Sequence, residues 1–158
     1  MSKQSTTREI QSGGAVPWAL TMFTFPEFEE FWPGIETMLD TVPHTWKNWS
    51  KEYILTAVAE SRLQVWGIGP PPKAVFVFFT QVSIYPVTKI LTVPWGAGSF
   101  EQAMLPTLEA ALVHYARMND CSSIEVRGRP GWDPHFKTIG MKREYVTWSL
   151  PVSNVRMN

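Results

Sequence analysis

The stretch from Lys89 to Arg127 constrains this chain more than any other. It reads as a strand, Lys89 to Val93, then Pro94-Trp95-Gly96-Ala97-Gly98-Ser99, then a long helix, then a second strand, Ser123 to Arg127. Along the helix Phe100, Met104, Leu108, Ala111, Leu112, Tyr115 and Met118 recur at helical spacing and make one apolar stripe. Ser99 suits its N-cap and Asn119 its end, and Pro106 inside it predicts a kink. Two strands joined through a helix of this length imply a parallel pair with a right-handed crossover.

The segments upstream are joined by short turns and are expected to pair antiparallel. Val16 to Phe25 holds a short first strand. Pro26 to Asp40 reads as a helix with Phe28, Phe31, Ile35, Met38 and Leu39 on one face, kinked or split at Pro33-Gly34. After a connector, Ser50 is an N-cap for a second helix, Lys51 to Glu60. Arg62 to Ile68 alternates as a strand, Gly69-Pro70-Pro71-Pro72 stops it, and Lys73 to Ser83 is β-branched and aromatic as a central strand should be. Beyond Arg127 a short helical turn, Pro134 to Ile139, precedes a last strand, Lys142 to Leu150. The fold class is α/β: a single mixed, mostly antiparallel sheet with one parallel crossover and helices on both faces. Residues 1–15 read as a polar, flexible arm and 16–158 as one domain, as a chain of 158 residues suggests.

Composition narrows the function. Fourteen Lys and Arg balance fourteen Asp and Glu, so a general electrostatic nucleic-acid binder is not expected. The single cysteine, Cys121, excludes an intramolecular disulfide framework and a Cys-cluster zinc site. No His with Asp or Glu shows a metal-ligand spacing, so no metal is expected. No apolar run is long enough to span a membrane, and the first residues lack the apolar core of a signal. A cytoplasmic protein is the expectation. Four of the eight Trp (Trp18, Trp32, Trp46, Trp49) crowd the N-terminal third, and this patch is compatible with a homodimer.

The element order with Gly96-Ala97-Gly98 ahead of a long helix resembles the GNAT N-acetyltransferase superfamily. That family holds acetyl-CoA on a Gln/Arg-x-x-Gly-x-Gly/Ala loop, and Val93-Pro94-Trp95-Gly96-Ala97-Gly98 matches both glycines while placing Val93 at the Gln/Arg position. Downstream, His135-Phe136-Lys137-Thr138-Ile139-Gly140-Met141 is similar to the family's Phe-Tyr-Glu-Lys-Leu-Gly-Phe run. It carries Phe136 where many members have a general-acid Tyr. Glu125-Val126-Arg127-Gly128-Arg129-Pro130-Gly131-Trp132, with Tyr85-Pro86, resembles a branch encoded by tailed phages and prophages.

The resemblance implies an acetyl-CoA-dependent N-acyltransferase acting on a small-molecule or protein amine in the infected host cell. Leu91, Thr92 and Val93 would pair with pantetheine, and Gly96, Ala97, Gly98 and Ser99 would hold pyrophosphate through backbone amides at a helix start. Glu125 is the candidate base, with Tyr145 and His135 as further acid–base candidates. Arg127, Arg129 and Trp132 are candidates for substrate or anion binding. Each has a plainer reading: a tight turn for the glycines, an in-sheet ion pair for Glu125 and Arg127, a surface His135, a packed Tyr145, an inert Cys121. The alternative function is an inactive relative of the fold serving as a virion or assembly component or a protein-binding, anti-defence module. Val93 and Phe136 favour it.

Overall fold

The computed structural model describes residues 19–42, 48–69, 74–128, 132–144 and 148–152. The chain divides into two compact units, one ending at Gly128 and one beginning at Arg129. The expected arm 1–15, Trp18, Trp46, Arg129 and Tyr145 lie outside the described residues.

The first unit runs β1 (Leu20–Met22), α1 (Phe25–Asp40), α2 (Lys51–Ala59), β2 (Gln64–Ile68), β3 (Phe76–Ile84), β4 (Lys89–Val93), β5 (Gly96–Gly98), a 3-10 turn (Gln102–Met104), α3 (Leu105–Met118) and β6 (Ser123–Val126). The strands form one sheet in the order β1-β2-β3-β4-β6, with β5 alongside β3. Every pairing is antiparallel except β4 with β6, so the crossover through α3 is the parallel one expected.

Local chemistry starts the two N-terminal helices. Thr24 and Glu27 form a reciprocal capping box at α1, and Pro26 sits in its first turn, where a missing N–H is harmless. Ser50 Oγ accepts from Tyr53 N at 3.1 Å and starts α2. Pro33 does not split α1. It forfeits one helical hydrogen bond, but Phe28 before it and Ile35 and Leu39 after it are buried in the same core, and the helix continues through it.

The helices cover both faces of the sheet. On the front, α1 and α2 close over Val65, Val77, Phe79, Trp95 and Ala97, with Phe28, Leu39, Ile54 and Ala57 at the centre. On the back, Trp66 stacks on Phe78 and meets Tyr115 of α3 edge-on at 5.3 Å. The Trp66 indole donates to buried Thr80, whose hydroxyl donates on to Gln64, so these three side chains satisfy one another.

The structure corrects two further expectations. The long helix does not begin at Ser99. Its α-helical part starts at Leu105, so Pro106 lies in the first turn and needs no kink. The described residues of the expected last strand, 142–144 and 148–150, have no strand pairing. The second unit carries α4 (Asp133–Lys137), where Trp132 packs edge-on to Phe136 at 5.7 Å and Arg143 pairs with Asp133. Among the described residues no helix is long and apolar enough to cross a membrane.

Candidate active site

The site is built on a break in register. Thr92 of β4 lies opposite Gln81 of β3, and Gly96 of β5 lies opposite Phe78. Between those pairs β3 has two residues, Phe79 and Thr80, while the partner has three, Val93, Pro94 and Trp95. This is a β-bulge, and a bulge is where Pro94 can sit without removing a ladder hydrogen bond. The extra residue reverses the side-chain alternation. Leu91 and Val93 point to the back face, whereas Trp95 and Ala97 point to the front, beside Phe79 and Val77.

The same bulge opens a fork. β6 follows β4 as far as Val93 opposite Val126, and Arg127 N donates to Val93 O at 3.0 Å. β5 then stays with β3 and, among the described residues, pairs with no other strand. Two bonds fix the phase of that pairing: Ser99 N to Val75 O at 2.8 Å and Phe79 N to Trp95 O at 3.0 Å. Hydrogen-bonded and non-hydrogen-bonded pairs alternate in an antiparallel ladder, so Ala97 bonds back to Val77. The N–H and C=O groups of Gly96 and Gly98 therefore face away from β3, along the open side of the fork.

The glycines of the expected phosphate loop are thus part of the sheet. Gly96, Ala97 and Gly98 are a strand, and the amides of Ala97 and Ser99 are committed to β3. Gly98 has a reason of its own to be glycine. Its φ is +103°, and a Cβ there would lie 2.3 Å from Val75 O. The start of α3 runs on from the 3-10 turn, where Met104 N donates to Glu101 O and Leu105 N to Gln102 O, and Thr107 Oγ1 in its first turn is buried without a partner among the described residues.

The other candidates divide between the two units. Leu91 and Val93 are buried on the back of β4. Thr92, 4% exposed, is on the front and directly opposite Glu125 of β6, which is half-buried. Arg127 follows β6 and is exposed. Trp95 is buried in the front core, edge-on to Trp49 at 4.7 Å and to Phe79 at 5.6 Å. His135 is half-buried on α4 and Trp132 caps that helix, both in the second unit. Burial raises the Cys121 thiol pKa, which fits an inert thiol rather than a nucleophile. Among the described residues no group of three His, Cys, Asp or Glu is placed to hold a metal.

Sequence reasoning missed Gln81 and Ser83. Both lie on the front of β3, and Ser83 Oγ is 3.2 Å from Thr92 Oγ1. The signal was available where the apolar run of β3 turns polar at Thr80-Gln81-Val82-Ser83.

Several solved structures share this fold. A predicted acetyltransferase with acetyl-CoA from Clostridium acetobutylicum matches with a TM-score of 0.66 at 10% identity, over 89% of this chain and 99% of that one. Ribosomal-protein-alanine N-acetyltransferase from Brucella melitensis biovar Abortus 2308 matches with 0.63 at 13% identity, over 85% and 98%. Aminoglycoside N-acetyltransferase AAC(6')-Iy in complex with CoA matches with 0.63 at 13%, over 90% and 99%. At these identities the likeness establishes a GNAT-type fold. No protein-family model and no curated protein matches the sequence.

Proposed function

We propose that the protein is an acyl-CoA-dependent N-acyltransferase. The observation that carries the reading is the outer edge of β5, where Gly96 and Gly98 turn two sets of backbone donors and acceptors toward the fork. An extended chain with amide groups, such as pantetheine, pairs with such an edge as an added strand does. The absence of side chains at both positions leaves the approach open. The fold neighbours that contain acetyl-CoA or CoA support the same ligand class.

When bound, an acyl-CoA supplies an acyl group activated as a thioester, so an amine gains a C–N bond as the C–S bond breaks. Glu125, beside the last paired residues of β4 and β6, is the carboxylate positioned to take the proton the amine releases. Phe136 contributes no acid, and the proton that completes the thiol comes from Glu125 or water.

A second reading has its own observation. The committed amides of Ala97 and Ser99, and a Gly98 explained by packing alone, fit a protein that keeps the fold and has lost the nucleotide. The phage context rests on the resemblance of Glu125 to Trp132 and would suit that reading, with virion components or defence proteins as partners. Isothermal titration with acetyl-CoA separates the two. The enzyme reading expects micromolar binding, and heats indistinguishable from dilution would overturn it.

A further inference from the structure

At the end of the sheet away from the fork, β3 and β4 run on as a two-stranded ribbon. Among the described residues β2 pairs with β3 only as far as Thr80, opposite Gln64, and β6 pairs with β4 only from Ile90, opposite Ser123. Beyond those points Ile84 lies opposite Lys89, Tyr85 N donates to Thr88 O at 2.8 Å, and Pro86 and Val87 form the apex. The tip is apolar where it is most exposed: Val87 is 92% exposed, Ile84 76% and Tyr85 50%. Side chains alternate along a strand, so Ile84 lies on the back with Lys89, Tyr85 lies on the front with Ser83, and Val87 stands at the end. Apolar groups thus surround the tip instead of lining one face of it.

That arrangement selects the partner. A second copy or a flat protein surface would cover one face of the ribbon and leave the other wet. Three side chains also fall far short of the roughly 20 residues a side that a stable protein interface takes. A fluid hydrocarbon layer covers all three at once. The polar groups suit the same environment. Tyr85 N–H is already bonded and Pro86 has none, so neither carries an unpaired donor out of water. Lys89, level with Ile84, can lay its stem along the ribbon and keep its ammonium among headgroups. The Tyr85 hydroxyl belongs at the same depth. α3 ends beside the ribbon, since Ser122, four residues after Met118, donates its N–H to Lys89 O at 2.8 Å. The charged side chains of the ribbon, of the last turn of α3 and of the turn into β6 are Lys89, Arg117 and Asp120, two cations to one anion.

We infer that the β3–β4 hairpin is a membrane-surface contact, in which Ile84, Tyr85 and Val87 enter the boundary between headgroups and acyl chains of a weakly anionic lipid bilayer. The contact is shallow and reversible, as three side chains allow. It lies at the opposite end of β4 from Gly96 and Gly98 and does not rest on the acyltransferase reading.

The test is flotation of the full chain with vesicles of phosphatidylcholine containing a minority of phosphatidylglycerol, beside Val87→Glu and Ile84→Ser. The wild-type chain is expected to float with the vesicles. Val87→Glu should lower the vesicle affinity about tenfold or more, and Ile84→Ser severalfold, with circular dichroism unchanged because both sites are exposed. In bicelles of the same lipids doped with a nitroxide-headgroup lipid, the amide signals of Tyr85, Val87 and Thr88 should broaden before those of Gly96 and Gly98. This measurement uses the unmodified chain and stands even if a variant fails to fold. A wild-type chain that stays with the soluble fraction, unchanged flotation of Val87→Glu, or broadening confined to other residues would overturn the inference. So would a concentration-dependent dimer in sedimentation without lipid that Val87→Glu abolishes, since the tip would then meet a second copy.

Discussion

Gly98 shows how a motif residue is held by the fold. Its positive φ and the 2.3 Å approach of a Cβ to Val75 O mean that any side chain strains the backbone and pushes β5 off β3. Gly98→Ala is expected to lower stability by about 2 kcal/mol, read as a shift in the urea midpoint. An unchanged midpoint would contradict the strand assignment. Bulky substitutions at Gly98 are for the same reason poor probes of cofactor binding, since loss of fold and loss of contact look alike. Cys121 gives a second residue-level test. Its thiol pKa is raised, chiefly by burial, so at pH 8 a smaller fraction is thiolate than in an ordinary cysteine. Alkylation by iodoacetamide at pH 8 should therefore be slower than that of glutathione, and a faster rate would contradict the assignment of an inert thiol.

Elements whose ends are set by local chemistry were legible in the sequence. Thr24 with Glu27 and Ser50 cap α1 and α2 through their own side chains. Ser50→Ala should cost about 1 kcal/mol in chemical denaturation with no change in fold by circular dichroism; no loss would mean that the cap is idle. β4 was readable to the residue, because Lys89 to Val93 is bounded by turn signals on both sides. The bulge was not. Gly-x-Gly before a helix reads the same whether it turns freely or pairs with a strand. The choice depends on Phe76, Val77 and Phe78, some twenty residues earlier, which no local pattern encodes. The alignment of Gln81, Thr92 and Glu125 across three strands was hidden for a related reason: they are far apart in sequence, and only register brings them level.

At the scale of the molecule the alternation of segments was enough to give the mixed sheet, its one parallel pair and its two helical layers. Right-handed crossovers and short antiparallel connections leave few other arrangements. The bulge then gives this ordinary sheet a fork, with a backbone edge on one side. The most direct measurement is amide hydrogen exchange by NMR, with and without acetyl-CoA. The account predicts that Ala97 and Ser99 are protected in both states, and that Gly96 and Gly98 exchange quickly alone and become protected with the ligand. Slow exchange at all four residues alone, or fast exchange at Gly96 and Gly98 under saturating acetyl-CoA, would contradict it.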